Sequence, residues 1–103
     1  MNIIELTTDN LSEVINDQLV LVDFYAEWCG PCKMLGPVIE NLANELDYLK
    51  VVKVNVDSNP KTSEQYRIMS IPTLILFKDG EPVSTKQGFQ SKEMLTKWIE
   101  DNK

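Results

Sequence analysis

The chain reads as an α/β domain, with a mixed five-stranded sheet flanked by helices on both faces. Three observations predict this. Short apolar runs alternate with stretches whose apolar residues recur every three or four positions, the pattern of strands alternating with helices. The run at 19–25, Leu-Val-Leu-Val-Asp-Phe-Tyr, is almost unbroken apolar, as suits a central strand covered on both faces. Near the end, Asp79-Gly80 separates two strand-like segments and marks a hairpin, which adds an antiparallel edge.

The elements follow in order. Residues 2–6 form a short strand. Thr8 or Asp9 caps a helix that turns Leu11, Val14 and Ile15 inward. After the central strand at 19–25, Met34, Leu35, Val38, Ile39, Leu42, Ala43 and Leu46 mark an amphipathic helix over about 31–46. Pro37 should kink it and free a carbonyl, and Gly36 weakens the same spot. The next strand is 51–56. Asn59-Pro60 pairs a cap with a first-turn proline, opening a short helix to about Arg67. Residues 74–77 are strand, and 82–88 return antiparallel after the hairpin turn. Ser91 caps a last helix whose inner face carries Met94, Leu95, Trp98 and Ile99. Right-handed crossovers gather strand ends and helix starts along one edge, where open sheets bind ligands.

At 103 residues the chain fits a single domain spanning 1–103. Folding at this size buries roughly 60–70% of the unfolded surface, enough for one core without staples. Composition is that of an ordinary soluble protein, 43% hydrophobic and 25% charged. The net charge of −6, with no basic cluster, argues against nucleic acid or an anionic membrane as main partner. No secretory signal or membrane span is visible, so a reducing cytoplasm is the expected compartment. There a cysteine pair is more often catalytic than structural. The chain has no histidine, which removes every His-based acid–base or nucleophilic scheme.

Trp28-Cys29-Gly30-Pro31-Cys32 lies between the central strand and the long helix. Cys29 therefore sits near a helix N-terminus, where unpaired N–H groups and the positive end of the macrodipole stabilise a thiolate, the reactive form. Cys32 follows three residues on, on nearly the same face, so the two sulfurs can close a disulfide or open to two thiols. Pro31 suits an early helical position, since its missing N–H would have had no intrahelical partner. Gly30 lets another backbone come close. Two readings compete with a redox pair. One is core filling, but Gly-Pro between cysteines is turn chemistry. The other is zinc, which wants four ligands, whereas two cysteines and no histidine supply only half a thiolate/imidazole site.

Other residues stand out near the same edge. Asp23 is a carboxylate amid Leu21, Val22 and Phe24. Burial without a charge partner raises a carboxyl pKa, and such a group behind the dithiol can relay a proton with Cys32. Lys53 on the neighbouring strand can pair with Asp23 or face solvent. Ile71-Pro72-Thr73 opens the fourth strand, where a proline is tolerated, and X–Pro bonds are the ones that turn cis at appreciable frequency. Trp28 is expected partly exposed, and Gly88 ends the fifth strand as a turn or a site of close backbone approach.

The sequence closely resembles the thioredoxin family over essentially its whole length. The resemblance is carried by 22–33 (Val-Asp-Phe-Tyr-Ala-Glu-Trp-Cys-Gly-Pro-Cys-Lys), by Lys53-Val54-Asn55-Val56-Asp57, by Ile71-Pro72-Thr73-Leu74 and by Lys78-Asp79-Gly80. It implies a thioredoxin fold and a thiol–disulfide oxidoreductase that reduces protein disulfides. Cys29 would be the attacking thiolate, Cys32 the resolving thiol, and Asp23, with Lys53 beside it, the buried proton acceptor. Pro72 would be cis and face the dithiol. Trp28, Gly30, Pro31, Ile71, Pro72 and Gly88 would line the groove for substrate chains. A flavin-containing thioredoxin reductase drawing on NADPH would recharge the pair. The chain itself would bind no cofactor and act as a monomer. Tyr25 stands where a second tryptophan is usual, and Ser70 where glycine is frequent. Gly36, within the proline-kinked helix, is a third departure. The alternative function is a binding subunit on the same fold, with an incidental dithiol.

Overall fold

A computed structural model describes residues 3–103. Its elements run β1 (Ile3–Glu5), α1 (Leu11–Val14), β2 (Leu19–Tyr25), α2 (Gly30–Glu45), β3 (Lys50–Asn55), α3 (Pro60–Gln65), β4 (Thr73–Lys78), β5 (Glu81–Gln87) and α4 (Lys92–Asp101). This is the expected order. Asn2, placed in the first strand on sequence, lies outside the described residues.

The five strands form one sheet in the order β1-β3-β2-β4-β5. β3 pairs parallel to both β1 and β2, and β4 pairs antiparallel to both β2 and β5. The sheet is therefore mixed, and β2 sits between its parallel and antiparallel halves. Asp79 (φ 52°) and Gly80 (φ 85°) both take left-handed backbone, as a two-residue hairpin turn requires. β5 is an edge strand, which accommodates Pro82 and a register shift opposite Leu76 and Phe77.

Alternation along β2 splits the core into two layers. Leu19 and Leu21 pack on one face with Leu35, Ile39 and Leu42 of α2 and Leu95, Trp98 and Ile99 of α4. Val20, Val22 and Phe24 pack on the other with Leu11 and Ile15 near α1 and with Val52, Val54, Ile75 and Phe77. Each such side chain contributes roughly 1.5–3 kcal/mol when fully buried. With both faces covered, β2 has no need of alternating polarity. Only Asp23 breaks its apolar run, and it is buried on the α2 face.

Several local expectations are corrected. Neither Thr8 nor Asp9 caps α1; Asn10 holds that position without a side-chain bond. Asp9 reaches across the sequence to α3, where its Oδ1 accepts from Thr62 N (2.8 Å) and Thr62 Oγ1 (2.9 Å). Asn59 holds the N-cap position of α3 but does not bond that helix with its side chain. It is fully buried, accepts from Asp9 N, and donates to the Leu6 and Asn55 carbonyls. Asp9 thus takes over the bond to α3, because Asn59 is drawn inward to satisfy buried backbone. α3 ends at Gln65, and Arg67 turns left-handed at φ 53°. Met34 and Met94, counted on inner faces, are exposed. Ser91 does cap α4, accepting from Met94 N at 3.2 Å.

Candidate active site

The dithiol turn is built by the handover from β2 to α2. Cys29 keeps extended backbone as the N-cap of α2, and its carbonyl accepts the first helical bond from Lys33 N at 3.2 Å. Cys32 N donates to Cys29 Sγ at 3.2 Å, so the sulfur occupies the place of a capping oxygen. Pro31 sits in the first turn at no cost in hydrogen bonds, and Pro37 is carried within an unbroken helix. Cys29 and Cys32 are joined as a disulfide, with Cα atoms 5.3 Å apart. Both are buried, at 5% and 7% exposure, against Ala26 and the partly buried Tyr25, Val56 and Ile71.

The start of β4 closes the other side. The Ile71–Pro72 peptide is cis. The Ile71 carbonyl oxygen lies 3.9 Å from Cys29 Sγ. Thr73 Oγ1 donates to the Ser70 carbonyl at 2.6 Å, and Gly88 N donates to the Pro72 carbonyl at 2.8 Å. Gly88 is left-handed at φ 84°, and a Cβ there would meet nothing within 4 Å. Its glycine therefore serves backbone conformation and not close packing. Gly30 likewise has open space where a Cβ would stand.

The six residues assigned to the groove differ in access. Trp28 is 71% exposed and donates its indole N–H to Asp57 Oδ2 at 2.9 Å. Gly30 and Pro31 are exposed, Ile71 and Gly88 are half-buried, and Pro72 is buried. Asp57 was not singled out on sequence: a surface aspartate 29 residues from its partner carries no local signal.

Asp23 is 2% exposed, and its Oδ1 has no hydrogen-bond partner. Burial pushes its carboxyl up to about 6, Lys53 pulls it back, and Glu5 adds to the rise. Lys53 stands opposite Asp23 in register. Its Nζ, however, lies over the Tyr25 ring, 4.6 Å from the centroid. The Tyr25 hydroxyl donates to Glu5 Oε2 at 2.7 Å. Burial and that carboxylate raise the phenol pKa. Among the described residues, no group of three or more acidic or cysteine side chains is placed to hold a metal.

A disulfide capping a helix and faced by a backbone carbonyl defines a thiol–disulfide redox protein on a mixed α/β sheet. The thioredoxin family profile matches residues 2–101. The thioredoxin of Chlamydia trachomatis is 52% identical over 94 residues, covering 91% of this chain and 92% of that one. That of Staphylococcus saprophyticus is 50% identical over 101 residues, 97% of each chain. The solved thioredoxin of Fasciola hepatica superposes with a TM-score of 0.90 at 35% identity, covering 97% of this chain and 99% of that one. The chain belongs to the thioredoxin family, and with the Cys29–Cys32 pair in place it is a protein thiol–disulfide oxidoreductase. No described helix is long and apolar enough to cross a membrane.

Proposed function

We propose that the chain works as a single-domain, monomeric, cytoplasmic reductant of protein disulfides, recharged by a thioredoxin reductase that draws on NADPH. The observation that carries the direction of attack is the asymmetry of the pair. Cys29 caps α2 and faces the Ile71 carbonyl, whereas Cys32 lies inside the helix.

In the reduced form the Cys29 thiolate attacks one sulfur of a client disulfide. The client S–S bond breaks, one client thiolate leaves, and a mixed disulfide forms. Asp23 takes the Cys32 thiol proton. Cys32 Sγ then attacks Cys29 Sγ, the mixed disulfide breaks, and the second client sulfur leaves. Two electrons have passed to the client, and the Cys29–Cys32 disulfide remains. Asp23 suits this role because it projects from the same face of β2 as Leu21, which packs under α2. An acceptor with pKa near the working pH is the effective one, and Lys53 sets how near.

Trp28, Gly30, Pro31, Ile71, Pro72 and Gly88 form the rim on which an extended client segment lies. The Ile71 carbonyl presents free backbone beside the reacting sulfur. The Gly88 N–H is already taken by Pro72, so Gly88 supports the rim's shape without donating to the client.

The test is insulin-type disulfide reduction with NADPH and a thioredoxin reductase. NADPH loss coupled to disulfide cleavage is expected. A chain with alanine at both cysteines should be inert; full biological activity in that variant would mark a binding subunit instead.

A further inference from the structure

Tyr25 ends β2 and projects from the same face of the sheet as Asp23. Glu5, Lys53 and Asp23 stand in one row across β1, β3 and β2, by the register Glu5–Lys53 and Lys53–Asp23. A lysine and an aspartate placed across neighbouring strands attract one another. Here Asp23 and Lys53 form no ion pair among the described residues, and Asp23 Oδ1 is without a hydrogen-bond partner. The ammonium rests instead over the Tyr25 ring, 4.6 Å from its centroid. The ring is in turn anchored at its far end, where the hydroxyl donates to Glu5 at 2.7 Å. Tyr25 and Lys53 both line a cleft of about 290 Å³ that reaches Cys32, with Glu27 and Lys33 also on its wall.

We propose that Tyr25 is a positioning residue for Asp23: pinned by Glu5, its ring holds the Lys53 ammonium in the cleft wall beside Cys32 and out of a close pair with Asp23. An ammonium over an aromatic face is attracted by the ring quadrupole, so the ring competes with the carboxylate for the same cation. The consequence is a carboxyl that still senses Lys53 but is not clamped by it. The charged groups that act on Asp23 are Lys53 from β3 and Glu5 from β1; Tyr25 lies on the same face of its own strand, and Cys32, Glu27 and Lys33 line the cleft that Tyr25 and Lys53 share. β4 presents Leu74 at the paired position and adds no charge. The inference rests on the proposed role of Asp23, but its first readout does not.

That readout is the Asp23 carboxyl titrated by difference infrared spectroscopy in the oxidised protein, against Asp23→Asn as blank. Four chains are compared: unaltered, Tyr25→Leu, Lys53→Met and the double variant. Tyr25→Leu should lower the Asp23 midpoint by about one pH unit, a tenfold change in proton affinity, as Lys53 swings onto the carboxylate. Tyr25→Phe keeps the ring and loses only the anchor, so it should shift the midpoint the same way by less. In the Lys53→Met background, Tyr25→Leu should have no effect. An unmoved midpoint in Tyr25→Leu overturns the proposal. So does an equal drop without Lys53, which would trace to solvent entry. The pH profile of mixed-disulfide resolution is the second readout and should follow the midpoint. A midpoint that moves while that profile stays fixed supports the positioning of Lys53 by Tyr25 and removes Asp23 from the proton path.

Discussion

Asp23 and Lys53 stand opposite one another on adjacent parallel strands, and no ion pair joins them among the described residues. The carboxyl is therefore buried with its charge only partly compensated. Its ordinary value of 3.8 is pushed up to about 6, chiefly by burial. Below about pH 4 the group is protonated whether the chain is folded or not, and it costs nothing extra. Between about pH 4 and 6 the unfolded chain ionises while the folded one resists, so stability is lost as pH rises. Above about pH 6 that loss is complete, at about 3 kcal/mol.

Asp23→Asn removes this charge at nearly constant shape. Its stability relative to the unaltered chain should climb through pH 4–6 and level off above, while disulfide exchange slows. Urea unfolding across that range is the check. A flat difference, or a variant that is less stable at pH 8, would mean that the carboxylate is better satisfied than its orphaned Oδ1 indicates.

Asp9→Ala should cost about 1 kcal/mol, the worth of a helix cap, although Asp9 lies 53 residues from the helix it serves. The loss should shrink when Thr62→Val has already removed one of the two bonds, as coupled partners require. Denaturant midpoints of the two single variants and the double variant measure this; strict additivity would show that the contact carries no energy.

Glycines 36 and 88 should respond in opposite directions. Gly36 lies inside α2, where a Cβ meets nothing within 4 Å, so Gly36→Ala should stabilise by about 0.5–1 kcal/mol through helix propensity. Gly88 has equal space but a φ of 84°, so Gly88→Ala should destabilise by about 1–2 kcal/mol. Thermal unfolding of both variants separates conformation from space. Equal effects would contradict the assignment.

The order of elements and the position of the dithiol were legible because they rest on local pattern. The unbroken run at 19–25 marked the central strand, and Gly-Pro between two cysteines marked the turn into α2. Asp23 was legible too, as the one charge in a buried run. What sequence did not disclose came from pairings between distant strands and loops. Asp9 caps α3 and not α1, because Asn59 is occupied with buried carbonyls of Leu6 and Asn55. Trp28 meets Asp57, and Tyr25 meets Glu5, only once β1, β3 and β2 are side by side. Met94 has helical spacing with Trp98 but falls at the margin of the apolar stripe, at 53% exposure.

In the proposed cycle Cys29 Sγ attacks and Cys32 Sγ resolves, a division of labour between the two sulfurs. It is tested most directly by incubating Cys32→Ser and Cys29→Ser separately with a disulfide-bearing client and mapping the trapped adducts by mass spectrometry. A persistent mixed disulfide through Cys29 is expected in the first and little or none in the second. Equal trapping through Cys32 would contradict it.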